Sequence, residues 1–202
     1  HAAQMLQYSE HINNIINGRA AFPLITEIHL GRFCNHNCLM CFSHGADYEE
    51  ELSKNKNSKS SFKPISVREI ESLLKESREN GVEEIWFSGG KEPFCAGGVA
   101  DYAISRANEL GFITRVYTNA ELIDMPGRLE IMLGASQIRI SVNGATPLVY
   151  AAIHFPQSDC EDYFCPMYNR DGSKVFHRVK KNIEDLVKLR HEKLADSECK
   201  NK

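Results

Sequence analysis

Four short alternations of apolar and polar residues, separated by stretches of helical periodicity, organise this sequence. Residues 24–30 are rich in aliphatic and β-branched side chains and predict a first strand. Residues 83–88, 112–118 and 137–142 predict three more. Before the first strand, apolar Met5, Ile12, Ile15 and Ile16 predict a helix over residues 2–19, stopped at Gly18 and Phe22-Pro23. Ser66 with Glu69 three residues on forms a capping box, Ile70, Leu73 and Leu74 supply a buried stripe, and Gly81 ends that helix. Helices are also predicted over 98–110, stopped by Gly111, and over 125–133, stopped by Gly134. Residues 145–173 predict an irregular stretch. A last helix follows over 175–195, with Val175, Val179, Ile183, Leu186 and Leu194 as its apolar positions.

Strands alternating with helices predict an α/β fold with a parallel sheet built from four βα units. Parallel strands buried on both faces read as continuous aliphatic runs, and these do not. Ile28 and Leu30 oppose Glu27 and His29; Ile85 and Phe87 oppose Trp86 and Ser88. Val116 opposes Arg115, Tyr117 and Asn119, and Ile138, Ile140 and Val142 oppose Gln137, Arg139, Ser141 and Asn143. The period of two gives one face to the helices and a polar face to a cavity. The expectation is therefore a partial TIM-like (βα) barrel, with a half-solvated α+β sheet as the alternative. Residues 1–22 form a leading helix and 23–202 the core. Ligands bind α/β sheets at the carboxyl ends of the strands, where the loop after Leu30, Gly89-Gly90, Thr118-Asn119 and Asn143-Gly144 all fall.

Composition adds exclusions. The 202 residues are 42% hydrophobic and 25% charged, an ordinary globular balance. A net charge of −3 gives no electrostatic case for nucleic acid. No run of about 18 apolar residues predicts a membrane span. The polar stretch 45–64 predicts a long solvated loop. Seven cysteines, an odd and clustered set, argue against a disulfide framework and for a reducing cytoplasm.

Three of those cysteines, Cys34, Cys38 and Cys41, lie within eight residues directly after the first strand. A [4Fe-4S] cluster is normally held by four thiolates, so three leave one iron open to a ligand that is not protein. Two alternatives stand beside this. The i, i+4, i+7 spacing fits three buried cysteines on a helix face, although Gly31, Asn35 and Asn37 make a poor helix. Tetrahedral zinc would need a fourth ligand, such as His36 or His44. Cys95, Cys160, Cys165 and Cys199 are expected to be ordinary thiols, with an auxiliary cluster as the alternative. After the second strand comes Gly89-Gly90-Lys91-Glu92-Pro93, where glycine lets backbone approach a ligand and Glu92 offers an acceptor to an ammonium group at the cavity rim.

A cysteine triplet after strand one and a Gly-Gly-Glu-Pro-like segment after strand two resemble the radical S-adenosylmethionine (SAM) superfamily, over about residues 24–194. The resemblance implies that Cys34, Cys38 and Cys41 hold a [4Fe-4S] cluster whose fourth iron is chelated by SAM. It implies that Gly89, Gly90 and Glu92 face the methionine amino group, that Ser141 or Asn143 lies near the ribose or carboxylate, and that Met40 packs near the adenine. It also implies an external one-electron reductant, flavodoxin- or ferredoxin-like, and hydrogen abstraction from an organic substrate that the sequence does not identify. Arg115, Tyr117 and Arg139 are candidates to touch that substrate or to pair within the barrel. The chain departs from the family in three ways. Lys91 stands inside the glycine-rich segment, Met40 replaces an aromatic residue, and four βα units stand where the family core has six. A truncated front portion of the core is therefore expected. A non-catalytic iron–sulfur or zinc protein and an inactive interaction domain are the alternatives.

Overall fold

A computed structural model describes residues 8–19, 21–31, 33–41, 65–89, 91–156 and 171–200, with side chains to 196. The 45–64 loop, Gly90, His44, Cys160, Cys165 and the Cys199 side chain lie outside the described residues. Four parallel strands form one sheet in the order β1-β2-β3-β4: Ile25–Ile28, Glu84–Phe87, Ile113–Thr118 and Gln137–Ile140. The helices are α1 (Ser9–Ile16), α2 (Val67–Glu79), α3 (Gly98–Glu109), α4 (Arg128–Gly134), α5 (Pro147–His154) and α6 (Gly172–Lys200). No helix among the described residues is long and apolar enough to cross a membrane.

The two sheet faces separate as the alternation predicts. One row across the sheet pairs Ile28, Phe87, Val116 and Ile138, and joins the hydrophobic core or packs against it. The neighbouring row pairs Glu27, Trp86, Arg115 and Gln137 on the other face. There the Arg115 guanidinium grips Glu84 at 2.8 and 3.3 Å and lies 5.5 Å from the Trp86 ring centre. Arg139 lies 5.7 Å from the Tyr117 ring centre. Arg115 thus takes the structural pairing role, its fork already filled by a carboxylate.

Helix α2 begins at the expected box: the Ser66 Oγ accepts from the Glu69 N–H at 3.3 Å, and the Ser66 N–H donates to the Glu69 carboxylate at 2.7 Å. It ends by Gly81, whose φ of +82° favours glycine. Glu71 joins α2 to α3, accepting from Arg106 at 2.9 and 3.2 Å and from the Tyr102 hydroxyl at 2.7 Å. Arg106 above all holds its carboxyl down, to about 2. A carboxyl depressed in the folded state stabilises the fold above its usual value, and that contribution is lost as pH falls through the folded one. Urea melts should therefore show Glu71→Gln less stable than the parent at neutral pH. The gap should close as pH falls from about 4.5 to about 2.

Two expectations need correction. The stretch predicted to be irregular contains helix α5. Thr146 caps it, accepting from the Val149 N–H at 3.3 Å, with Pro147 in the first turn. A Cβ on Gly144 would stand 2.5 Å from the Tyr150 nitrogen, and one on Gly172 2.7 Å from the Ala151 Cβ, so both ends of this region need bare backbone. The last helix is longer than predicted. Val175, Val179 and Leu186 are buried, but Leu194, expected in the stripe, is exposed because α6 has run past the core by then.

Candidate metal and cofactor site

The loop after β1 is not helical, so the triplet is not a helix face. Cys34, Cys38 and Cys41 are free and half-buried. The Cys41 N–H closes a turn on the Cys38 carbonyl at 2.9 Å. The residues on either side of Cys38 dock on the end of α5: the Asn37 N–H donates to the His154 carbonyl at 3.0 Å, and the Leu39 N–H to the Ile153 carbonyl at 2.8 Å. These bonds satisfy carbonyls that a helix end leaves open. Burial pushes the Cys34 thiol up to about 11, and the Glu92 and Cys41 charges add to this. Burial pushes Cys38 up to about 12, with Cys34 and Cys41 adding to it.

Behind this loop is a buried polar brace from the carboxyl ends of β2 and β3. Glu92 is turned inward rather than to a rim. Its carboxylate accepts from the Thr118 hydroxyl at 2.7 Å, the Asn119 N–H at 2.8 Å and the Phe94 N–H at 3.3 Å. The last bond caps a 3-10 turn, Pro93–Ala96, absent from the sequence expectation. Burial raises the Glu92 carboxyl while these donors pull it down. The Asn119 side chain donates to the Asn35 side-chain oxygen, Oδ1, at 2.7 Å. Asn35 donates in turn to the Glu121 carboxylate at 2.8 Å, and that same oxygen lies 3.0 Å from His36 Nε2. Asn182 of α6 donates to the Ala120 and Glu121 carbonyls at 2.9 and 3.2 Å, which holds Ala120 at a φ of +60°.

His154 stands against the cysteine loop. Its Nδ1 is 3.1 Å from the Cys38 sulfur and 3.3 Å from His36 Nδ1. Burial, helped by His36, lowers it to about 4, so it is neutral near pH 7. Tyr150 stacks on its ring at 4.1 Å. His36, Cys38 and His154 offer ligand atoms within 4.8 Å of one another.

The remaining predicted residues spread around this centre. Gly89 has a φ of +109°, and a Cβ there would stand 2.5 Å from the His29 ring. Lys91 is half-buried, Met40 is exposed on the cysteine loop, and Ser141 and Asn143 are exposed just past β4. Cys95 lies beside the loop, its sulfur 3.7 Å from the Asn35 oxygen. Reading the sequence missed Asn35, Glu121, His154 and Asn182. The one visible signal was Asn119 and Glu121 close after Thr118, at the carboxyl end of a strand.

The sequence matches the Radical SAM superfamily over residues 28–195. The chain belongs to this superfamily. Members are generally enzymes and typically bind a [4Fe-4S] cluster and SAM. Among solved structures, Streptococcus suis SuiB superposes with a TM-score of 0.54 at 18% identity, over 76% of this chain and 32% of that one. SuiB bound to SAM gives a TM-score of 0.45 at 21% identity, over 68% of this chain and 27% of that one. The chain thus spans about a third or less of these SuiB chains, and at such identities the likeness concerns the fold. No curated protein matches the chain. The donor set suits the superfamily's cluster: three soft thiolate ligands on one short loop, backed by a polar brace.

Proposed function

We propose that this chain is the cluster- and SAM-binding front portion of a radical SAM enzyme, with residues 1–22 a leading segment that carries α1 and 23–202 the core. The observation that carries this reading is the three free, half-buried thiols on one non-helical loop at the carboxyl end of β1. Cys34, Cys38 and Cys41 would hold three irons of a [4Fe-4S] cluster and leave the fourth to SAM. When bound and reduced by one electron from a flavodoxin- or ferredoxin-like donor, the cluster supplies cleavage of SAM to methionine and a 5′-deoxyadenosyl radical that takes hydrogen from an organic substrate.

The chain's own residues do the binding and orienting. Glu92 fixes the turn after the glycine segment by capping Pro93–Ala96, so its effect on SAM would be indirect, through the backbone that leads into that turn. Gly89 keeps that backbone bare for the methionine amino group. Met40 offers a polarizable thioether to the adenine, and Ser141 and Asn143 offer polar groups to the ribose or carboxylate. Arg139 and Tyr117 line the polar sheet face beneath the substrate. A reducing, cytoplasmic setting suits all of this.

Anaerobic reconstitution with iron and sulfide, followed by EPR with and without SAM, tests the reading. The expected result is a reduced-cluster signal that SAM alters, with 5′-deoxyadenosine formed. A signal indifferent to SAM would overturn it. The His36, Cys38 and His154 grouping favours one second reading, a mononuclear zinc site with S and N ligands. Bound zinc with no iron after anaerobic isolation would support that instead.

A further inference from the structure

His154 belongs to helix α5 and is not among the residues to which the family resemblance gives a role, yet among the described residues its ring is the side chain that hydrogen-bond geometry brings nearest to a cysteine sulfur, 3.1 Å from Cys38. Its tautomer follows from its partners. The Asn143 N–H points at His154 Nε2 from 3.4 Å, so Nε2 must present its lone pair. The ring proton is then on Nδ1, shared between the Cys38 sulfur at 3.1 Å and His36 Nδ1 at 3.3 Å. His36 agrees: its Nε2 faces the Glu121 carboxylate at 3.0 Å, which requires a proton there and leaves Nδ1 to accept. Every hydrogen in this chain, from Asn143 through His154 and His36 to Glu121, has one consistent place.

The ring is also held mechanically. The neighbours of Cys38 in sequence, Asn37 and Leu39, are bonded to the backbone of residues 154 and 153, so loop and helix move as one. Tyr150 covers one side of the ring at 4.1 Å, and His36 meets it edge-on at 5.3 Å. A metal ion on His154 Nδ1 would push the proton to Nε2, against the Asn143 N–H. The hydrogen-bond geometry therefore favours His154 as a donor to sulfur over a ligand, and the zinc reading would require this tautomer to reverse.

We propose that His154 is a positioning residue that donates its Nδ1–H to the Cys38 sulfur and thereby raises the reduction potential of the cluster held there. This rests on the cluster assignment above. A hydrogen bond to a ligating sulfur favours the more negative, reduced state, and such bonds are among the terms that set iron–sulfur potentials. Glu121 serves the same end from a distance, by fixing His36 as the acceptor that aligns the donor.

The test compares EPR-monitored redox titrations of the reconstituted parent, His154→Leu and His154→Asn, with iron and sulfide content measured on each. His154→Leu should shift the midpoint to more negative potential, with about a tenfold lower reduced-to-oxidised ratio at fixed poise, equivalent to about 59 mV for one electron. His154→Asn, whose amide nitrogen sits near the Nδ1 position, should recover most of that shift. An unchanged midpoint in His154→Leu at parental iron content would overturn the inference and leave the cluster assignment standing. A parent that takes up no iron would overturn both, and is recognised at once from the iron analysis. Should the leucine variant fail to fold or to bind iron, nitrogen-15 NMR of the metal-free parent decides. It should show His154 protonated at Nδ1 and His36 at Nε2; a proton on His154 Nε2 would overturn the inference.

Discussion

Cys38→Ala should abolish cluster binding, lowering reconstituted iron to background and removing the EPR signal, while the chain still folds. Changes to groups that merely orient a ligand cost about 10–100-fold in metal affinity, and removing a ligand costs more. A cluster with only three protein ligands has none to spare. Cys38 is half-exposed on a surface loop, so losing its sulfur empties no core position. The same experiment separates the two metal readings. In the cluster reading Cys34→Ala and Cys41→Ala should lose iron as fully as Cys38→Ala does. In the zinc reading, metal should depend on Cys38, His36 and His154 and survive the other two substitutions. Colorimetric iron analysis and zinc by mass spectrometry on all the variants give the answer. Full iron retention in Cys38→Ala would contradict the ligand assignment.

Glu121→Ala should be the most damaging change outside the cysteines. The Glu121 side chain is fully buried, and one of its oxygens receives Asn35 at 2.8 Å and His36 at 3.0 Å. Alanine leaves both donors buried without that acceptor, each costing about 1–3 kcal/mol. The expected loss is thus about 2–6 kcal/mol of unfolding free energy, read from urea or guanidinium midpoints. The consequence for the site is separate from the loss of stability. Asn35 and His36 lie between Cys34 and Cys38, so releasing them loosens the ligand loop. Iron uptake should fall in Glu121→Ala even at temperatures where the variant remains folded. Arg178→Ala makes a useful contrast. Its guanidinium lies 3.8 Å from the other Glu121 oxygen, is half-exposed, and also pairs with Asp124 at 2.8 Å. Partly exposed pairs of that kind contribute about 0–1 kcal/mol, so its midpoint should barely move.

The βα order was legible because its signals are local. Ser66 and Glu69 announce a helix start on their own, Gly81 a stop, and the alternation of Ile85 with Trp86 and of Val116 with Arg115 sorts each strand's faces without knowledge of its neighbours. Helix α5 was less legible. Thr146-Pro147 is a helix-start signal, but the segment is short and mostly apolar all round, so its periodicity is weak. The cysteine triplet was legible for the same reason as the strands: its three members share one loop.

The sequence by itself determined the α/β order, the two characters of the sheet faces and the triplet at the end of β1. It could not determine what holds that triplet in place. Asn119 and Glu121 carry no periodic signal, and Glu92, expected to face an ammonium group at the cavity rim, turns inward to Thr118 and the Asn119 N–H instead. Only the parallel register of β1, β2 and β3 brings these three strand ends side by side, and only the packing of α5 puts His154 against Cys38, 116 residues away along the chain. A buried polar brace depends on pairs of groups far apart in sequence, each needing the other to offset its desolvation. Those pairings exist once the chain has folded.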